Sequence, residues 1–100
     1  MHSPLIVDLD PRTLHLPPSR FSGADPLKLQ RQLARFGSKT AGMPLIEISR
    51  GSDGEFMINN GVTRATRVAK LLPGVTIRAE IIDNLSHPVG ALPTIGDAIP

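Results

Sequence analysis

The sequence of 100 residues contains no cysteine, tryptophan or tyrosine and only three phenylalanines. Without cysteine the chain has no disulfide, no thiol nucleophile and no cysteine-ligated zinc site. The scarcity of aromatic side chains argues against single-strand binders that stack bases on aromatic platforms, such as OB and RRM domains. The histidines His2, His15 and His87 lack the short spacing of metal ligands, so we predict no structural metal.

Long apolar runs are absent as well. No window approaches the roughly 20 apolar residues of a membrane-spanning helix. The first residues do not show the charged start and apolar stretch of a secretory signal. We therefore expect a protein without a membrane partner, located in the cytoplasm. Whether it is a whole protein or a domain excised from a larger one stays open.

One hundred residues suffice for a single domain with one core, and the 40% of apolar residues predict that this core is aliphatic. We place the core within residues 5–84. Residues 85–100 carry Pro, Gly and Ser without periodicity. They are assigned to an extended tail that either wraps the domain or is partly disordered.

The charges are unevenly distributed, although the net charge is only +2. Residues 27–41 and residues 61–79 each contain basic side chains and no acidic one. Two such segments in a small domain indicate an anionic partner. In the first segment Lys28, Arg31, Arg35 and Lys39 follow one helix face, which makes them candidate nucleic-acid contacts. An ordinary solvated helix face is the alternative interpretation.

Local patterns predict a mixed α/β (α+β) domain with the order β-α-β-β-α-β around a central hairpin. The first helix begins after the N-cap Asp25, with Pro26 at its first position, and stops at Gly37. Leu29, Leu33 and Phe36 should form its buried stripe. The other predicted elements are strands over residues 5–9, 44–49, 55–58 and 75–82, and a second helix from residue 62 or 63 to 72.

The most informative segment lies where the hairpin turns into the second helix, at residues 59–67. The first N–H groups of a helix have no partner within it and carry partial positive charge. Gly61 lets the backbone approach a ligand closely. Thr63 supplies a hydroxyl, and Arg64 supplies a planar fork suited to phosphate oxygens. With Val62, and with Arg67 one turn later, they form a candidate phosphate-binding site; a helix start with solvated arginines is the alternative.

The same residues resemble a known family. The hairpin ending in DGEFMINNG, the helix TRATRVAKL and the strand PGVTIRAEII resemble the ParB-like nuclease domain of the ParB/sulfiredoxin superfamily. In that family a hairpin leads to a Gly-x-x-Arg motif at a helix start. The segment LPPSRF at residues 16–21 is similar to the family's first loop, which adds Ser19 and Arg20 to the candidate phosphate-binding residues. The resemblance implies a small ParB/sulfiredoxin-like fold over residues 5–84.

The chain also departs from the family. Sulfiredoxin has its nucleophilic cysteine directly after the motif glycine, where this chain has Val62, so that reductase chemistry is excluded. Chromosome-segregation ParB proteins carry Gly-Glu-Arg-Arg and bind a nucleoside triphosphate. Here the motif is Gly-Val-Thr-Arg, which retains Gly61 and Arg64. We expect no helix-turn-helix or dimerisation segment of those proteins within these 100 residues, so the resemblance is to the ParB-like domain alone.

Three function classes remain from the sequence. The leading hypothesis is a domain that binds phosphate, a nucleotide or a nucleic acid. The resemblance implies, in addition, nuclease or nucleotide-hydrolase activity and a nucleoside triphosphate with Mg as the cofactor. The second is a nuclease toxin domain of a larger bacterial effector. The third is a non-catalytic interaction module that kept the fold. Metal-dependent cleavage needs clustered carboxylates, for which Glu47, Asp53 and Glu55 are the candidates, against ordinary solvated acids as the alternative.

Overall fold

A computed structural model of the chain describes residues 4–99. It is a mixed α+β domain with one four-stranded sheet, which confirms the predicted fold class. His2 and Pro100 lie outside the described residues. The predicted β-α-β-β-α-β order is present, with three short helical segments in addition. The elements are β1 (Leu5–Leu9), 3-10 turns Pro11–Thr13 and Pro18–Arg20, α1 (Pro26–Phe36), β2 (Ile46–Arg50), β3 (Phe56–Asn60), α2 (Val62–Leu71), β4 (Ile77–Asn84) and α3 (Ile95–Ala98).

The strands lie in the order β1-β4-β2-β3. β2 and β3 form the predicted antiparallel hairpin, β4 pairs with β2 in parallel, and β1 pairs with β4 in antiparallel fashion. The centre of the sheet is fully buried at Ile46, Ile48 and Ala79, and Ala65 and Val68 of α2 belong to the same core cluster. α2 is therefore fixed against the sheet, and its first residue follows β3 after a single glycine.

Strand limits differ from the prediction by one or two residues. β2 begins at Ile46 rather than at residue 44, and β4 extends to Asn84 rather than ending at residue 82. Strands end where their pairing ends. Ile46 pairs with Ala79, and Arg50 pairs with Asn84 at the other end of the parallel ladder. The local apolar pattern does not contain that register.

α1 has the predicted ends but not the predicted burial. The Asp25 carboxylate accepts hydrogen bonds from the N–H groups of Leu27 at 2.9 Å and Lys28 at 3.1 Å, and Gly37 ends the helix with φ +56°. No residue of α1 is fully buried. The Phe36 side chain, predicted to be buried, is 39% exposed. α1 contacts chiefly α2, so its apolar stripe is only partly covered.

Residues 85–99 wrap the domain, so the predicted core limit at residue 84 is too early. Val89 is buried, and Ile95 belongs to the core cluster. The Asp53 carboxylate, in the hairpin turn, accepts hydrogen bonds from the N–H groups of Gly90 at 2.8 Å and Val89 at 3.3 Å. Burial acts to raise the pKa of Asp53, but these donors and the Glu55 N–H outweigh it and hold the pKa below its ordinary value.

Nothing among the helices of residues 4–99 combines the length and the apolar character needed to cross a membrane.

Candidate anion-binding site

An open cleft of about 620 Å³ lies between α1 and the start of α2. Three separate segments form it: the loop before α1, one face of α1, and residues 59–64. We call this feature the cleft. The residues predicted as candidate contacts that line it are Ser19, Arg20, Lys28, Arg31, Arg35, Gly61, Val62, Thr63 and Arg64. Segments far apart in the sequence thus share one concave surface.

The cleft is strongly positive. Five cationic side chains line it, from Arg20, Lys28, Arg31, Arg35 and Arg64, against the single acid Asp25. The other eight of the nine acidic residues lie outside its lining. The cleft thus carries a formal charge of about +4 in a chain whose net charge is +2.

Asp25, whose carboxylate is the N-cap of α1, offsets only one of these five positive charges. The Lys28 N–H, and with it the Leu27 N–H and the nearby charges of Lys28 and Arg20, hold the pKa of Asp25 below its ordinary value. The carboxylate is therefore ionised at neutral pH. Four of the five positive charges that line the cleft therefore have no acidic counterpart in the lining.

The start of α2 requires glycine at position 61. Gly61 has φ +103° and ψ +23°, in the left-handed region that residues with a Cβ avoid. A Cβ there would lie 2.6 Å from Cγ2 of Ile46 and 3.0 Å from Nη2 of Arg64. Within residues 4–99, no side chain caps this helix start. The backbone N–H groups of Val62, Thr63 and Arg64 are the first of α2 and precede its regular hydrogen bonding.

The Arg64 side chain lies against this turn. Its Nη2 donates a hydrogen bond to the carbonyl oxygen of Leu45 at 3.2 Å, and its Nε is buried without a partner in the described chain. The side chain is half-buried and lines the cleft. Arg64 is thus held by one bond and retains further N–H donors for a ligand.

Arg67 is placed away from the cleft, which corrects its predicted role as a flanking phosphate contact. The side chain is only 2% exposed. Its Nη1 donates to the carbonyl oxygens of Gly37 and Lys39, both at 2.7 Å, and its guanidinium lies 5.3 Å from the centre of the Phe36 ring. Burial lowers the pKa of Arg67 from its ordinary value. Its guanidinium therefore fixes the end of α1 to α2.

Lys39 also lies outside the lining of the cleft. The predicted basic stripe assumed one continuous helix, but α1 ends at Phe36 and the chain turns at Gly37. The stripe in the cleft therefore consists of Lys28, Arg31 and Arg35.

Some lining residues were not predicted from the sequence. Gln32 and Phe36 of α1 and the pair Asn59 and Asn60 line the cleft. Asn59 donates to Oγ of Ser49 at 2.7 Å. The asparagines stood within the informative segment, but no spacing marked them as ligand-binding. Nothing in the local sequence distinguished Gln32 from the other polar residues of α1.

The acidic candidates for a metal site are separated from the cleft. Asp53 binds the backbone of the tail, Glu47 accepts a hydrogen bond from Asn60, and neither they nor Glu55 line the cleft. In the part of the chain that the structure describes, no three His, Asp or Glu side chains are grouped closely enough to hold a metal ion.

Comparison with known proteins gives no assignment: no protein-family model matches the chain, and neither does any protein of curated function. The resemblance to the ParB/sulfiredoxin superfamily therefore stays a proposal. The site is interpreted from its own geometry and charge.

Proposed function

We propose that the protein binds a phosphorylated ligand, a nucleotide or a nucleic acid, in the cleft between α1 and α2. The observation that carries this proposal is the gathering of five cations from three chain segments around one concavity with a single, already engaged acid. A protein of net charge +2 has no need to concentrate its cations in this way for solubility. Mutual repulsion disfavours the arrangement, and a bound polyanion would relieve it.

The start of α2 is the feature that favours phosphate as the anionic group of the ligand. Phosphate oxygens accept hydrogen bonds from backbone N–H groups at a helix start, where the helix dipole also favours negative charge. Gly61 lines the cleft at this helix start, and Arg64 adds a guanidinium beside it. Arg31 and Arg35 of α1 face the same cleft and would bind further anionic groups.

The resemblance to ParB-like domains supports the same assignment from the sequence, because Gly61 and Arg64 occupy the two fixed positions of the family's motif. We therefore propose a ParB/sulfiredoxin-like fold as the finer description of this α+β domain. The role that we propose is binding. Phosphoryl transfer or phosphodiester cleavage is the reaction class that the resemblance would add.

The test compares two losses of charge in the cleft with one elsewhere. Arg64→Ala and the double variant Arg31→Ala/Arg35→Ala each remove cations from the cleft, whereas Arg78→Ala removes one from the far side of the sheet. The Arg78 side chain is 73% exposed and does not line the cleft. Binding is measured by titration calorimetry with nucleoside triphosphates and by fluorescence anisotropy with a labelled oligonucleotide.

We expect each cleft variant to weaken binding about tenfold, which corresponds to about 1.4 kcal/mol, and Arg78→Ala to leave it nearly unchanged. Wild type should also gain about 2.7 kcal/mol of apparent stability at a hundredfold excess of ligand over its Kd. Equal affinity in wild type and both cleft variants would refute the proposal. If Arg78→Ala weakened binding as much as the cleft variants do, the binding would reflect the net charge of the protein and not the cleft.

A further inference from the structure

The two edges of the sheet differ in how the rest of the chain covers them. At the β3 edge the N–H of His15 donates to the carbonyl oxygen of Phe56, and the His15 carbonyl accepts from the N–H of Ile58, both at 2.9 Å. Residues 93–95 cover the segment around His15 in turn, through two further backbone hydrogen bonds at 2.7 and 2.8 Å. Two layers of the protein's own backbone thus cover the middle of the β3 edge.

The β1 edge has no such cover. Within residues 4–99, β1 pairs with β4 along one side, and no backbone hydrogen bond joins residues 5–9 to any other segment. In an antiparallel strand alternate residues direct their N–H and C=O groups to opposite sides. Part of the β1 backbone therefore faces outward, and an edge of this kind is a template for one more strand.

β1 is also apolar, without the features that commonly protect an open edge. Its sequence LIVDL contains one charge and no proline, and its pairing with β4 is regular over all five residues. Leu5, Val7 and Leu9 pair with buried residues of β4 and so lie on the face of the sheet that carries the core. Leu5 is nevertheless 53% exposed, and Ile6, on the opposite face, is 40% exposed. A strand added beside β1 would cover both side chains.

The order of side chains in β1 is suited to pairing with a second β1. Two copies related by a two-fold axis can align their β1 strands in antiparallel fashion so that Val7 lies opposite Val7. Leu5 then lies opposite Leu9 of the second copy, and Ile6 lies opposite its Asp8, so that all five residues are paired. A register centred on Asp8 would instead place two carboxylates opposite each other, which is unfavourable.

The distribution of charge favours approach along this edge. Nε of Arg78 on β4 lies 3.9 Å from Oδ1 of Asp8, so each copy brings a counter-ion for its own carboxylate. The positive cleft includes residues 59–64, at the end of β3 and thus at the opposite edge of the sheet. Pairing through β1 keeps the two clefts apart, whereas an approach through the cleft side would bring their positive charges together.

We propose that β1 is a dimerisation surface whose partner is a second copy of this chain. The two β1 strands pair in antiparallel fashion about Val7 and join two four-stranded sheets into one of eight strands. Five paired residues make a contact smaller than the roughly 1,600 Å² of a standard interface, so the dimer should dissociate on dilution. The proposal goes beyond the proposed function and does not depend on it, because no residue of β1 lines the cleft.

Cysteine substitution tests the register, since the chain has no cysteine of its own. In the proposed dimer the two Cα atoms of Val7 lie about 4.5–5.5 Å apart, within reach of a disulfide. Val7→Cys should therefore form a disulfide-linked dimer under mild oxidation. Leu5→Cys is the matched control: Leu5 is more exposed than Val7, but its two copies would lie about 13 Å apart.

We expect Leu5→Cys to cross-link about tenfold less than Val7→Cys, because a disulfide cannot join Cα atoms more than about 7 Å apart. A mixture of Leu5→Cys with Leu9→Cys should cross-link again, since those two positions lie opposite each other. Cross-linking of Leu5→Cys alone that equals or exceeds that of Val7→Cys would overturn the proposal. Failure of Val7→Cys to cross-link at all would overturn it as well.

Charge variants at Ile6 distinguish strand pairing from general apolar association. Ile6→Asp places a carboxylate opposite Asp8 and should weaken the dimer about tenfold, because the change acts twice in a two-fold dimer. Ile6→Lys places an ammonium group there and should not weaken it. Ile82→Asp is the control and should have no effect, because Ile82 is 46% exposed but lies on β4, off the edge.

Sedimentation velocity over about a hundredfold range of concentration measures the association. The mass of the wild type should rise from 10.7 kDa towards twice that value. A wild type that remains monomeric throughout would refute the proposal and leave the proposed function standing. Equal weakening by Ile6→Asp, Ile6→Lys and Ile82→Asp would show apolar association in place of strand pairing, which also refutes it.

Discussion

The two helices that form the walls of the cleft are held in very different ways. α2 has five consecutive buried residues, Ala65 to Ala69, and belongs to the core. α1 has no fully buried residue, although its apolar residues are also spaced for one face. An apolar stripe is buried only as far as neighbouring elements cover it, and α1 has α2 as its main neighbour. The wall with most of the cations is thus the less anchored one.

The end of α1 is attached to α2 largely by Arg67, and breaking this attachment should have the largest effect on stability. Arg67→Met removes two hydrogen bonds from a charged donor to the carbonyls of Gly37 and Lys39. We expect a loss of about 3 kcal/mol in the free energy of unfolding. Arg64→Met, with one backbone bond at 3.2 Å, should cost about 1 kcal/mol.

Urea denaturation of both variants measures this difference, and amide hydrogen exchange shows where it acts. Residues of α1 should lose more protection than residues of α2 in Arg67→Met. Equal losses of stability in the two variants, or unchanged exchange in α1, would contradict the role of Arg67 as the connection between the helices.

The start of α2 should be the next most sensitive point. In Gly61→Ala the alanine must adopt φ near +103°, and its Cβ would approach Ile46 and Arg64 closely. We expect a loss of about 2–3 kcal/mol, from the left-handed backbone together with the steric contact. Gly74→Ala is the matched control, because Gly74 has φ +85° and a Cβ added there would meet no atom within 4 Å. It should cost only the backbone component, about 1 kcal/mol.

Thermal or urea unfolding of the two glycine variants isolates the contact contribution as their difference. If both variants lost the same stability, the close approach at Gly61 would have no energetic consequence. In that case the geometry of the cleft at the helix start would tolerate a side chain.

The start of α1 should show the smallest effect, with a characteristic dependence on pH. The pKa of Asp25 is lower in the folded protein than in the unfolded chain, chiefly because the Lys28 N–H donates to the carboxylate. Its stabilising contribution is therefore present above the unfolded pKa, about 3.9, and is lost as pH falls through the folded value. Asp25→Ala should destabilise at pH 7 and converge with wild type at low pH.

The convergence is measured as the difference in Tm between wild type and Asp25→Ala from pH 7 down to pH 2. Asp25→Asn provides the control, because an amide still caps a helix but does not titrate in this range. A difference in Tm for Asp25→Ala that is independent of pH would show that the carboxylate charge does not contribute to the cap.

Local chemistry was sufficient to predict some elements and not others. Asp25, Pro26 and Gly37 set the ends of α1 because capping depends on nearby residues alone. The hairpin with Asp53 in its turn was predicted for the same reason. For the tail the sequence left wrapping and disorder open, because its packing depends on the Asp53 carboxylate binding the N–H of Gly90, 37 residues away.

The same difference between local and distant sequence applies to the candidate site. The motif at Gly61 and Arg64 was visible because its residues are adjacent in sequence. Arg67 was misplaced because nothing local shows that the chain after α1 turns back and presents two carbonyls to it.

The most direct test of the central claim is a map of the bound ligand on the protein by ¹H–¹⁵N chemical shifts during titration with pyrophosphate. We predict that the largest shifts occur at the amides of residues 61–64 and along residues 28–35, the two walls of the cleft. Shifts concentrated on β1, the edge strand at the opposite end of the sheet from β3, or no saturable shift at all, would contradict the account.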